Sequence, residues 1–220
     1  MSGRYNHSLM AFAAACVMAT SPVEAGSRLY DMSVFLPAGG AAERSPTPVG
    51  TGYYQTAARG DSGGLGGILS EVRLGVLKHD FGPFSSSEEE GIDVNVEFLF
   101  FAPDALEFIW SPRPHLGVTI NTADDTNQAY FGLSWEFDVW RDLFVGFSFG
   151  GSVHDGETET FRIDKKELGC KLLFRESVEA GYRFAGHHAV TIFLDHVSNA
   201  NICVQNEGLE NFGVRYGYRF

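Results

Sequence analysis

Three residues near the C-terminus have the types and spacing that nucleophilic chemistry needs: His196, Ser198 and Glu210, within the stretch LDHVSNANICVQNEGLENFGVRYGYRF. A serine hydroxyl is a weak nucleophile until a neighbouring imidazole takes its proton. The imidazole in turn needs a carboxylate to fix its tautomer and to stabilise its charged form. The chemistry such a set could perform is attack on an ester carbonyl. No G-x-S-x-G elbow is present, because Val197 and Asn199 flank Ser198. A polar rim at the end of a hairpin would also use Ser and His, and spacing alone leaves that reading slightly ahead.

Other reactive types are scattered more thinly. Cys170 and Cys203 fall at the same end of the chain's strands, where an exported protein can form a disulfide; two free thiols remain an open alternative. His187-His188 sits at a tight turn with no third ligand nearby, which reads as a solvated turn, and no metal is expected. His79-Asp80 reads as rim packing. The acidic SSSEEEG run at 85–91 reads as a solvated loop, with divalent cations between lipid headgroups as the less favoured partner.

The elements that must position these residues are strands. From residue 68 onward apolar and polar residues alternate with period two, the mark of strands with two different faces. Eight segments are expected, at 69–80, 92–102, 115–122, 128–140, 143–151, 170–184, 188–198 and 209–220. In 128–140, Ala129, Phe131, Leu133, Trp135, Phe137 and Val139 share one face, while Gln128, Gly132, Ser134, Glu136 and Asp138 share the other. Such a face turns either to a core or to lipid. An even strand count, strand lengths that fit a tilted bilayer crossing, and tight turns (141–142, 185–187) alternating with long polar loops (81–91, 152–169) favour lipid. The 103–114 connection is longer than that scheme predicts. The expected fold is therefore all-β: an eight-stranded antiparallel transmembrane β-barrel.

Within this scheme Val190, Ile192 and Leu194 face outward and their row runs into His196 and Ser198. On the return strand Tyr218, Tyr216, Val214 and Phe212 run into Glu210. Placing His196 opposite Glu210 sets Leu194 opposite Phe212, Ile192 opposite Val214 and Val190 opposite Tyr216. Directly opposed residues have Cβ atoms ~5 Å apart, within reach of a His–Glu hydrogen bond. Gly208 then faces Ser198 and leaves room for a substrate.

The first 25 of the 220 residues have a basic start (Arg4), an apolar run from Leu9 to Ala19 and a small-residue site at Val23-Glu24-Ala25. This is the layout of a cleaved secretory signal peptide, so the chain is expected to be exported, to a bacterial outer membrane. Residues 26–67, rich in Gly, Pro and Ser, are expected to form a flexible extension before a single barrel domain at 68–220. The formal charge of −12 argues against nucleic acid, which needs a basic footprint.

The residues H-x-S-N-A at 196–200, N-x-G at 206–208 and Glu210 resemble the outer-membrane lipid A 3-O-deacylase (PagL) family. The resemblance extends to SEVRLGVLKHDFG near residue 70 and GIDVNVEFLF near residue 91. It implies an esterase that removes the 3-hydroxyacyl chain at position 3 of lipid A through Ser198, His196 and Glu210, with no cofactor. Asn199, Asn201 and Asn206 are the candidate supports for the oxyanion, and Gly208 the residue that leaves space. Asn201 is a departure, since the better-known members have Gly there. The implied partners are lipid A or lipopolysaccharide and the outer membrane, with a homodimer left open. A non-catalytic barrel with a structural or adhesion role is the alternative, and a soluble periplasmic lipid-binding barrel a third.

Overall fold

The computed structural model describes residues 67–86 and 88–220. The expected signal peptide (1–25) and nearly all of the expected extension (26–67) lie outside the described residues.

Eight strands follow one another around a closed barrel: β1 (Leu69–Lys78), β2 (Ile92–Phe100), β3 (Arg113–Asn121), β4 (Gln128–Trp140), β5 (Leu143–His154), β6 (Leu172–Phe184), β7 (His188–Ser198) and β8 (Leu209–Arg219). Every neighbouring pair is antiparallel, and β8 closes the ring on β1 with Val76 opposite Val214 and Val72 opposite Tyr218. Closure removes the unpaired edges that an open sheet would present. Strands β4 and β7 have the expected limits, and β5 runs three residues further, to His154.

Alternation decides which way each side chain points. Leu74, Val76, Val94, Phe98, Leu116, Val118, Phe147, Phe149, Val190 and Ile192 stand exposed on the outer wall. Their chain neighbours Arg73, Asn95, Glu97, Thr119, Ser148 and Thr191 are buried inside. An apolar outside around a polar inside is the inverse of a water-soluble domain and matches a barrel set in lipid.

The interior is filled by ion pairs. Arg73 bonds to Glu71 (2.7 Å), Glu136 (2.6 Å), Glu179 (2.9 Å) and, more loosely, Glu97 (3.4 Å). Arg215 pairs with Glu97 at 3.1 Å, and Arg175 pairs with Asp195 at 2.9 Å while its guanidinium lies 3.6 Å from the Tyr130 ring. Burying charges carries a desolvation cost that only close pairing offsets; the network therefore makes each member dependent on the others.

The two ends of the barrel differ. At one end, β4–β5 and β6–β7 are joined by tight turns in which Arg141, Ala185 and Gly186 take left-handed backbone conformations. The β2–β3 connection at this end, 101–112, is long because it holds a 3-10 helix (Asp104–Ile109), whose Ile109 carbonyl accepts a 2.8 Å bond from Trp135 Nε1. At the other end the long loops are fastened together. The His79 ring lies 2.9 Å from both Asp93 and Glu89; Glu89 also accepts from Thr126 Oγ1 and from the Lys166 amide, both at 3.1 Å. Lys166 Nζ, fully buried, reaches Asp80 at 3.4 Å. The 85–91 run is thus not simply a solvated acidic loop, because Glu89 is buried as a keystone of this cap. Burial disfavours the charged His79, but its hydrogen bonds to Asp93 and Glu89 outweigh that and raise its pKa to about 9. Burial likewise opposes ionised Glu89, yet His79 and the donors of Lys166 and Thr126 bring it down to about 2.

Candidate active site

The expected register of the last hairpin is the observed one: Val190 opposes Tyr216, Ile192 opposes Val214, Leu194 opposes Phe212 and His196 opposes Glu210. The outward row of β7 thus delivers His196 and Ser198 to the loop end of the lipid-facing wall, where both are half-buried. His196 Nδ1 lies 3.3 Å from Glu210 Oε1. The approach is out of line for a hydrogen bond, and Nδ1 has no such partner among the described residues. Catalytic hydrogen bonds of this kind often tighten only when substrate is bound.

The opposite edge of the imidazole faces Gly208. A Cβ there would lie 3.0 Å from His196 Cε1 and 3.6 Å from Nε2. Gly208 also has a φ of +71°, in the left-handed region where glycine is free of strain. The absence of a side chain leaves the Cε1–Nε2 edge of the ring uncrowded. Nothing among the described residues bonds Ser198 to His196; they share a face two positions apart, ~6.5–7 Å at Cα.

The loop after Ser198 is held by Asn199, which is buried. Its amide donates to the Leu168 carbonyl (2.9 Å) and the Gln205 carbonyl (2.5 Å), and its oxygen faces the Cys203 amide at 3.4 Å. Its backbone N–H donates to Asn206 Oδ1 at 2.7 Å. Asn206 Nδ2 is thereby turned outward, with a long 3.4 Å contact to Asn201 Oδ1. Ala200 (φ 53°) and Asn201 (φ 62°) are both left-handed. Asn is among the residues that tolerate this region, so it adopts here the conformation a glycine would take freely. Cys170 and Cys203 form a disulfide with Cα atoms 6.0 Å apart, joining the start of β6 to this loop.

Two features of the site were not read from the sequence. Glu176 on β6 lies directly across from His196 on the side away from Glu210, so the imidazole has a carboxylate on each flank. The signal was present: the outward row Leu172, Phe174, Glu176, Val178 is interrupted by one charge. The second feature is the cover over Glu210. Although it continues an outward row, Glu210 is only 2 % exposed, because residues 81–84 fold across it; no periodicity in DFGPF announces this. The His187-His188 pair has a structural use: His187 Nδ1 lies 2.8 Å from the Arg219 carbonyl, and His188 packs against Tyr216 and Tyr218.

Comparison with known proteins bears on this site. The family model described as lipid A 3-O-deacylase (PagL) matches residues 110–219, which include the whole hairpin. A solved structure, that of the outer membrane enzyme PagL, is similar over 69 % of this chain and 100 % of its own, with a TM-score of 0.52 and 18 % identity, a likeness of fold. Neisserial surface protein A is similar over 70 % of this chain and 97 % of its own, with a TM-score of 0.44 and 10 % identity. No curated protein matches the chain.

Proposed function

Because the chain belongs to the lipid A 3-O-deacylase (PagL) family, we propose that it is an outer-membrane esterase that cleaves the ester-linked 3-hydroxyacyl chain at position 3 of lipid A with Ser198, His196 and Glu210. The observation that carries the reading is where the apolar wall is broken. The outward rows of β7 and β8 run in apolar residues up to the loop end and then give His196, Ser198 and Glu210, and Glu176 interrupts the outward row of β6 directly beside His196. A nucleophile placed there meets the glucosamine esters of an outer-leaflet lipid at the height where the acyl chains begin. The leader expected at residues 1–25 would deliver the barrel to that membrane.

In this reading His196 Nε2 takes the Ser198 proton as Oγ attacks the ester carbonyl. Glu210, beside Nδ1, holds the tautomer and stabilises the imidazolium. His196 then returns the proton to the departing lipid A hydroxyl. Water, activated by the same imidazole, releases the 3-hydroxy fatty acid from Ser198. The Asn199 amide is committed to the Leu168 and Gln205 carbonyls, so the donors for the oxyanion are the outward Asn206 Nδ2 and the backbone amides at Ala200 and Asn201, aimed by the left-handed turn.

Mass spectrometry of lipid A from cells expressing the wild type and Ser198→Ala tests this. The wild type should remove one 3-hydroxyacyl chain and the variant none; unchanged lipid A with a folded wild-type barrel would leave the non-catalytic reading.

A further inference from the structure

Glu210 stands in a row that would otherwise face lipid, and one short segment accounts for its burial. The β1–β2 loop leaves the rim at Asp80 and crosses the carboxylate. The Phe81 amide donates to the Glu210 backbone carbonyl at 2.8 Å, and the Phe84 amide donates to Glu210 Oε2 at 2.8 Å. Gly82 lies directly on the carboxylate: a Cβ there would overlap Oε2 and come within 2.7 Å of Cδ. The two oxygens are thus divided, Oε2 to the loop and Oε1 to His196.

The segment is itself anchored at both ends. The Phe81 ring packs on Phe212 with centroids 6.1 Å apart, and the Phe84 ring meets the His196 ring edge-on at 6.4 Å. Behind them Asp80 accepts from Ser85 Oγ (2.6 Å) and from the Glu88 (2.7 Å) and Glu89 (3.1 Å) amides, and is paired with buried Lys166.

We propose that residues 81–84 are a positioning strap for Glu210, in which the bare Cα of Gly82 makes room for the carboxylate and the Phe84 N–H fixes its rotation, so that Oε1 is presented to His196. Gly82 and the Phe84 N–H touch no reacting atom and act through Glu210. The N–H on Oε2 fixes that oxygen while the loop excludes water from it, and the Phe84 ring covers one side of the imidazole. The inference rests on the proposed triad, and the test separates the two.

The test is a double-mutant cycle on the purified full barrel in detergent, with lipid A as substrate and the heat-dependent gel shift of the folded barrel as the folding control. Gly82→Ala should lower kcat about 100-fold with little change in KM, the scale of loss expected when a catalytic group is misplaced by about 1 Å. Combining Gly82→Ala with Glu210→Gln should be no worse than Glu210→Gln alone, since there is no longer a carboxylate to aim. Phe84→Pro, which replaces the N–H by a ring methylene facing Oε2, should give the same pattern and serves if Gly82→Ala does not fold, with Phe84→Ala, which loses the ring but keeps the N–H, as its control. A silent Gly82→Ala beside a crippled Glu210→Gln, or losses that multiply in the double variant, would overturn the strap alone. A Glu210→Gln enzyme with wild-type turnover would instead overturn the triad, and the strap with it.

Discussion

Replacing Glu210 by Gln removes one charge while keeping the shape, and the geometry sets the size of the effect. The carboxylate oxygen lies 3.3 Å from His196 Nδ1. At that distance an effective dielectric of 20 gives an attraction of about 5 kcal/mol between carboxylate and imidazolium. Only part of this is lost in the rate. The imidazolium forms as the proton moves, and Glu176 still faces the ring from β6. Taking half, ~2.5 kcal/mol corresponds to roughly a 100-fold fall in kcat, smaller than the ~10⁴-fold seen where a triad's single carboxylate is neutralised. A time course of lipid A deacylation by purified wild type and Glu210→Gln in detergent, followed by mass spectrometry, measures it. Removing both carboxylates, as Glu176→Gln with Glu210→Gln, should then cost more than either change alone. A near wild-type rate for folded Glu210→Gln would refute the electrostatic reasoning.

Peptide mass mapping after alkylation without reductant should find Cys170 and Cys203 unmodified; full alkylation would show that they do not pair. With a separation of 33 residues, loop entropy puts the disulfide at about 3–4 kcal/mol at most, so reduction should expose the 199–208 loop to protease before the barrel. The His79 contribution to the cap should be complete below its ordinary pKa of 6.5 and fade as pH rises through about 9, while that of Glu89 should be complete above 4.5 and fade as pH falls through about 2. Limited proteolysis of the long loops across this range should therefore show an alkaline opening that His79→Gln abolishes; a flat profile in the wild type would contradict it. Arg73→Met leaves Glu71, Glu97, Glu136 and Glu179 without their shared cation and should cost ~3–5 kcal/mol in urea unfolding from detergent; an unchanged midpoint would show the network to be dispensable.

The barrel was legible because its two faces have opposite solvents. Along β4 or β2 a slip of one residue would turn Phe98 or Phe131 inward and Glu97 to lipid, so alternation alone sets the register. For the same reason the pairing of His196 with Glu210 follows from counting back from Tyr218. Contacts made by loops obey no period. Gly82, two residues beyond the cap's Asp80, covers Glu210 through a fold-back that depends on Asp80 and Lys166, which are far apart in sequence. The 3-10 helix at Asp104–Ile109 was hidden similarly, since its anchor is a single bond to Trp135. Glu176 was a different kind of miss: it breaks an outward row that could have been read as those of β7 and β8 were.

The central claim, that Ser198 is the nucleophile activated by His196 at the lipid-facing rim, is tested most directly by a covalent probe. A lipid-tailed fluorophosphonate should modify the purified wild-type barrel at Ser198 alone, as located by peptide mass spectrometry, and His196→Ala should abolish the adduct. Deacylation of lipid A by a barrel that carries no adduct at Ser198, or an adduct that survives His196→Ala undiminished, would contradict the account.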